Sequence, residues 1–149
     1  MKPNIGRAML GGLVGTIALT ILMYVAAPMM GIPKMDIAAM LGSLLGGWTM
    51  GMVMHFVNGV LLFPLIYAFV LFLKFRGSPV TKGILWGVTL WLVAGLMVMP
   101  MMGAGFFGTA NGGMMAAAAS LMGHIVYGAL LGVIAGGPAR RLEEATAYK

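Results

Sequence analysis

The chain has 149 residues, of which 61% are hydrophobic and only 8% are charged, and its formal net charge is +6. A soluble domain carries about a quarter charged residues, so this composition excludes an ordinary soluble fold and indicates lipid as the solvent. The basic residues flank apolar runs and form no stripe, which argues against nucleic-acid binding. The absence of cysteine excludes disulfides, thiolate metal sites, iron–sulfur clusters and covalent c-type haem attachment.

Long apolar runs, taken in chain order, predict four transmembrane helices. The first run extends from Ala8 to about Gly31, which is longer than the apolar core of a cleaved signal peptide. The run from Ile37 to Leu73 is too long for one perpendicular crossing, so we interpret it as an outer helix followed by a span. The predicted elements are an outer helix at about Asp36 to Leu45, capped by Asp36, and further spans at about Gly46 to Leu73, Gly83 to Met102 and Gly113 to Gly136.

The charged residues indicate how these spans are oriented. Cytoplasmic loops of membrane proteins carry an excess of lysine and arginine. Only Lys34 and Asp36 are charged in the two predicted outer connections, whereas the opposite side holds Lys2, Arg7, Lys74, Arg76, Lys82, Arg140 and Arg141. The sequence therefore predicts that both termini are cytoplasmic.

The sequence also contains an internal repeat. Residues 28–31 and 100–103, at an offset of 72, both read Pro-Met-Met-Gly. The segment from His55 to Leu62 matches that from His124 to Leu131, at an offset of 69. These ordered matches predict two tandem units, at about residues 8–77 and 80–138, followed by a cytoplasmic tail at 139–149. The predicted fold is an all-α integral membrane protein, a four-transmembrane-helix bundle of two parallel repeats related by a pseudo-twofold axis along the membrane normal.

Small residues recur at four-residue spacing in the predicted spans. Helices in lipid associate by close backbone contact, which such residues permit. These grooves either pack the four helices on one another or receive a partner subunit. The predicted packing pairs are Gly11/Gly15, Gly47/Gly51, Gly83/Gly87 and Gly128/Gly132.

The two histidines are the candidates for function within the spans, where ionisable side chains are rare. The repeat places His55 and His124 at one depth, and each has a glycine one turn later, Gly59 or Gly128. A haem b ligated by histidines from two facing helices needs flat space beside each ligand, which these glycines provide. The alternative is that both histidines are neutral and hydrogen-bonded across helices to groups such as Asn58, Tyr127, Thr49 or Ser120.

Methionine is unusually abundant, with 17 in the chain. Thioether and imidazole ligands suit Cu(I), so the methionine clusters are a candidate copper site. The pairs Met50/Met54 and Met97/Met101 resemble the Met-x-x-x-Met element of the copper transporter family, and His55 adjoins the first pair. The alternative is that these methionines fill gaps between helices.

Three stretches resemble small uncharacterised four-span bacterial membrane proteins. They are the Gly-x-x-x-Gly-Thr motif that ends at Thr16, the segment from Pro33 to Gly42, and the His-Phe-Val-x-Gly segment that begins at His55. The resemblance implies a four-span fold in a bacterial inner membrane. It leaves function open, because that family has no agreed activity.

The polar residues point away from catalysis. The carboxylates Asp36, Glu143 and Glu144 all lie in flanking segments, so no carboxylate pair can form within a span. We expect a non-catalytic accessory subunit of a larger membrane complex, such as a respiratory or electron-transfer complex, without a cofactor. Its expected partners are lipid and other membrane subunits. The alternatives are a b-type cytochrome that uses His55 and His124, and a copper-handling membrane protein.

Overall fold

The computed structural model describes residues 4–71 and 77–136, and this part of the chain is helical without strands. Four of its helices are long and apolar enough to cross a membrane, which confirms the predicted all-α, four-span fold. The helices are α1 Ile5–Met29, α2 Ile37–Leu45, α3 Trp48–Leu71, α4 Pro79–Met101 and α5 Thr109–Gly136, the last preceded by a 3₁₀ turn at Phe106–Gly108. The predicted tail at 139–149 and the basic residues Lys2, Lys74, Arg76, Arg140 and Arg141 lie outside the described residues.

Local signals set where the helices begin. Asp36 caps α2, as predicted, by accepting a hydrogen bond from a backbone N–H of the first turn. α4 begins earlier than predicted, because Ser78 caps it and Pro79 occupies its first position. The helical run of α5 is interrupted at Gly112 and Gly113, where the fourth span was predicted to start.

In the described part of the chain, three spans contain a π turn that ends two residues before a proline. The turns are Leu22–Ala26 before Pro28, Asn58–Leu62 before Pro64 and Ala94–Val98 before Pro100. Proline has no backbone N–H, so it cannot donate to a carbonyl of the preceding turn in either an α or a π register. The sequence predicts a bend at Pro64 for this reason, and the structure accommodates the proline with a wider turn.

α1 and α4 end in the same way. The residue after each helix, Met30 or Met102, has a φ of −92°. The next residue, Gly31 or Gly103, has a φ of 78° or 73°, a left-handed conformation that glycine adopts readily. The shared Pro-Met-Met-Gly sequence thus encodes a shared helix stop. This likeness is what a duplicated unit requires, while the duplication itself stays a prediction.

The spans pack at glycines that bring their backbones together. A methyl group at Gly83 of α4 would lie 2.0 Å from the carbonyl oxygen of Gly128 in α5, and one at Gly87 would lie 2.1 Å from that of His124. Such distances leave no room for a side chain. A Cβ at Gly132 would lie 2.3 Å from the Pro79 carbonyl oxygen, and one at Gly51 would lie 1.9 Å from that of Ala38 in α2. At Gly11 and Gly15 the nearest backbone atoms of α5 would lie 3.0 Å from an added Cβ.

Gly47 does not have the packing role that the sequence predicts for it. It lies in the turn between α2 and α3 with a φ of 130°, and a Cβ there would meet open space. Its physical role is the left-handed turn itself. The other predicted packing glycines contact neighbouring helices of the same chain.

α2 folds over the end of the bundle at which α1 ends and α3 begins, and it is held there by Asp36. The Tyr24 hydroxyl of α1 donates to the Asp36 carboxylate, and Trp48 Nε1 of α3 donates to the same oxygen at 3.0 Å. Lys34 forms an ion pair with the other carboxylate oxygen at 3.0 Å. Burial opposes ionisation of Asp36, but the hydrogen bonds outweigh it and lower its pKa from 3.8 to about 2. This stabilisation is present above pH 3.8 and is lost as the pH falls toward 2.

Candidate ligand-binding site

A cavity of about 180 Å³ lies inside the bundle, where the four spans meet. Each span contributes to its wall, and Met35, Ile37 and Leu41, which lie in α2 or just before it, also line it. Most of the wall is apolar, and no carboxylate, lysine or arginine of the described residues lines it. The polar side chains on the wall include Thr20, His55, Asn58, Ser120, His124 and Tyr127.

His55 of α3 is held by a hydroxyl group of α1. Its Nε2 lies 3.1 Å from Thr20 Oγ1, and that hydroxyl donates its hydrogen to the Thr16 carbonyl at 2.7 Å. A hydroxyl has a single hydrogen, so Thr20 Oγ1 can only accept from His55. This network assigns the Nε2–H tautomer to His55. Its Nδ1 then carries a lone pair and has no hydrogen-bond partner among the described residues.

His124 is held by its own helix. Its Nδ1 lies 2.8 Å from the backbone carbonyl oxygen of Ser120, one turn earlier in α5. A carbonyl can only accept, so His124 Nδ1 carries the hydrogen. His124 is therefore in the Nδ1–H form, and its Nε2 carries a lone pair without a partner in the described part of the chain.

Other hydroxyl hydrogens on the wall are also bonded to backbone carbonyls. Thr16 donates to the Gly12 carbonyl at 2.7 Å, and the Tyr127 hydroxyl donates to the Gly59 carbonyl at 2.8 Å. Neither hydrogen is available to an imidazole. The cavity is thus bordered by two neutral histidines that each keep one unpaired acceptor nitrogen.

The structure brings His55 and His124 to one cavity, but the glycines beside them do not provide flat space for a haem. A Cβ at Gly59 would lie 2.1 Å from Thr16 Oγ1, and one at Gly128 would lie 2.1 Å from the Gly83 carbonyl oxygen. Both positions are filled by a neighbouring span. The two glycines serve helix packing, not clearance beside a histidine.

The predicted copper ligands are dispersed. Met50, Met97 and Met101 are each more than half exposed at the surface of the bundle. Neither these three nor Met54 line the cavity beside His55. The methionines that do line the cavity are Met23, Met35 and Met99.

Thr20 is the site residue that sequence reasoning missed. Thr16 and Thr20 lie one turn apart in an otherwise apolar span, a pattern that signals a polar contact with a neighbouring helix. Of the predicted histidine partners, Tyr127 bonds instead to a backbone carbonyl and Thr49 is exposed. Ser120 does contact a histidine, through its backbone oxygen.

The fold and the cavity define a class of protein, a four-span helical membrane bundle with a small, mostly apolar and partly open cavity between its spans. Residues 3–145 match a family of unknown function, DUF6789, and the chain belongs to that family. The predicted resemblance to an uncharacterised family is thereby confirmed. No curated protein and no solved structure matches the chain.

Proposed function

We propose that this protein is a non-catalytic membrane protein that binds a small, mostly apolar molecule in its central cavity. The observation that carries this proposal is a volume of about 180 Å³ between helices that elsewhere touch backbone to backbone. Volume left open between packed helices costs van der Waals contacts that neighbouring side chains would otherwise make. Larger side chains on the wall would remove that cost, so the retained volume favours a ligand-binding role.

The size and polarity of the cavity limit the ligand to about one ring. An apolar cavity of about 150 Å³ binds benzene, whereas drug-sized ligands occupy about 300–1,000 Å³. A charged ligand is disfavoured, because no charged side chain of the described residues lines the wall to compensate for its burial. A neutral molecule of this kind dissolves in the bilayer, from which the spans would capture it.

The hydrogen bonds on the wall disfavour catalysis. An activated serine or threonine nucleophile donates its hydroxyl hydrogen to an adjacent base. Thr20 does the opposite, since it donates to a backbone carbonyl and accepts from His55. In the described part of the chain, no carboxylate lines the cavity to orient either imidazole as a base.

For location, we propose a bacterial inner membrane with both termini cytoplasmic, following the distribution of basic residues. The Arg7 side chain donates to the Ile134 carbonyl at 2.9 Å, so the start of α1 and the end of α5 lie at one end of the bundle. An accessory role in an electron-transfer complex remains a compatible proposal. Glycine grooves that could receive a partner subunit support this role less than the sequence suggests, because those glycines pack against helices of the same chain.

A b-type cytochrome is the second candidate, favoured by the unpaired ring nitrogens of His55 and His124 on one cavity. A haem is much larger than a single ring, and Gly59 and Gly128 are already in contact with neighbouring spans, so the helices would have to move apart. Purified protein supplied with haem tests this candidate. A Soret band that His124→Phe abolishes would support it, and no Soret band would exclude it.

The binding proposal is tested by filling the cavity. Ala94 lines the wall, and Ala94→Leu adds three carbon atoms there. In lipid nanodiscs, we expect single-ring probes (fluorobenzene, 4-fluorotoluene and 4-fluorophenol) to bind the wild-type protein saturably, as measured by ¹⁹F NMR, and Ala94→Leu to abolish that binding. Ala118→Leu, on the exposed face of α5, is the matched control and should bind normally. The proposal fails if none of the probes binds saturably, or if Ala94→Leu binds them as the wild type does.

A further inference from the structure

We infer that the ligand carries a hydroxyl group on a single aromatic ring, and that this phenolic hydroxyl donates a hydrogen bond to His124 Nε2. This assignment rests on the proposed binding function and names the chemical class of the ligand. Its basis is the distribution of hydrogen atoms around the cavity. The wall offers unpaired imidazole acceptors, while the hydroxyl hydrogens of Thr16, Thr20 and Tyr127 are bonded to backbone carbonyls.

His124 is the acceptor best placed for a ligand. Its Nδ1 is bonded to the Ser120 carbonyl at 2.8 Å, which fixes the ring and leaves the lone pair on Nε2, the nitrogen farther from the backbone. A polar atom without a hydrogen bond is unfavourable inside a membrane bundle. A donor on the ligand would satisfy this atom.

His55 is a less suitable acceptor. The tip of its ring is occupied, because Nε2 donates to Thr20 Oγ1 at 3.1 Å. Its unpaired nitrogen is Nδ1, which lies beside Cβ and close to the backbone of α3. We therefore assign the ligand's hydrogen-bond donor to His124.

A neutral hydroxyl on a ring matches these features better than other small groups. An ammonium group would need a charged partner, and no charged side chain among the described residues lines the cavity. An ether, ketone or quinone oxygen only accepts, so it would leave His124 Nε2 unpaired. A phenolic hydroxyl donates and can also accept, and the Asn58 amide on the same wall is a donor without a partner in the described part of the chain.

Two probes of nearly the same shape test this inference. 4-Fluorophenol and 4-fluorotoluene differ by a hydroxyl group in place of a methyl group. Each affinity is calculated from the concentration of the probe in the bilayer. We expect 4-fluorophenol to bind the wild-type protein about tenfold more tightly than 4-fluorotoluene, because one hydrogen bond contributes about 1.4 kcal/mol. His124→Phe should abolish this preference, and the control variant Ala118→Leu, on the exposed face of α5, should retain it.

A second measurement needs no variant. In protein labelled with ¹⁵N-histidine, 4-fluorophenol should shift the Nε2 resonance of His124 and 4-fluorotoluene should not. Equal affinities of the two probes, or an unchanged Nε2 resonance, would overturn the inference and leave the binding proposal standing. A preference that persists in His124→Phe would overturn the assignment to His124. Failure of both probes and of fluorobenzene to bind would instead refute the binding proposal.

Discussion

Replacing Gly83 with alanine is expected to lower the free energy of unfolding by about 3 kcal/mol, at the upper end of the usual range for overpacking. The added methyl group would lie 2.0 Å from the Gly128 carbonyl oxygen and 2.9 Å from the Gly132 Cα. Both are backbone atoms, so neither can rotate away, and α4 must move away from α5. Equilibrium unfolding in mixed SDS and dodecylmaltoside micelles measures the change.

Gly6→Ala is the matched control for this substitution. Gly6 is exposed in the first turn of α1, and the nearest contact of an added Cβ is Asn4 Oδ1 at 3.6 Å. Alanine is the better helix former, so this change should be neutral or stabilising by up to about 1 kcal/mol. Equal effects at Gly6 and Gly83 would contradict the account of packing between α4 and α5.

Tyr127→Phe is expected to lower the free energy of unfolding by about 1–3 kcal/mol through the loss of one buried hydrogen bond. In the π turn of α3, the Phe63 N–H bonds to the Asn58 carbonyl, and the next residue, Pro64, has no N–H. The Gly59 carbonyl therefore lacks a donor in its own helix and accepts from the Tyr127 hydroxyl at 2.8 Å. Removing that hydroxyl leaves the carbonyl without its hydrogen-bond donor at a buried position.

A double-mutant cycle with Pro64→Ala tests the cause of this effect. An alanine at this position restores an N–H that can donate to the Gly59 carbonyl in the π register. We expect Tyr127→Phe to cost at least 1 kcal/mol less in the Pro64→Ala background than in the wild type. Pro64 also packs against Gly12, and the single variant Pro64→Ala measures the cost of losing that contact. Equal costs of Tyr127→Phe in both backgrounds would mean that the proline does not create the need for the tyrosine.

The features of the fold that the sequence predicts correctly are local. The lengths of the apolar runs predict the four spans, and Asp36 as a capping residue predicts the start of α2. The placement of α2 over the bundle depends on hydrogen bonds from Tyr24 and Trp48, which belong to different helices. Pro64 predicts a disturbance in α3, and its form, a π turn that ends two residues before the proline, recurs in α1 and α4.

The site is less predictable than the fold, because spans in lipid are apolar on every side. A soluble helix reveals its inward face by periodicity, whereas these helices do not. The sequence identifies His55 and His124 as candidate site residues because few other polar residues occur in the spans. The contact from His55 to Thr20 depends on the rotation of both helices about their axes, and the cavity depends on the packing of all four spans. Neither is encoded in a local pattern.

The central claim is that the cavity presents unpaired imidazole acceptors. Its most direct test is to determine which ring nitrogen of His55 and of His124 carries hydrogen. Histidine labelled with ¹⁵N, in protein in lipid nanodiscs, reports which ring nitrogen carries hydrogen through its chemical shifts and one-bond couplings. We predict opposite neutral tautomers, with hydrogen on Nε2 of His55 and on Nδ1 of His124. Hydrogen on Nε2 of His124, in the neutral or the charged ring, would contradict the account.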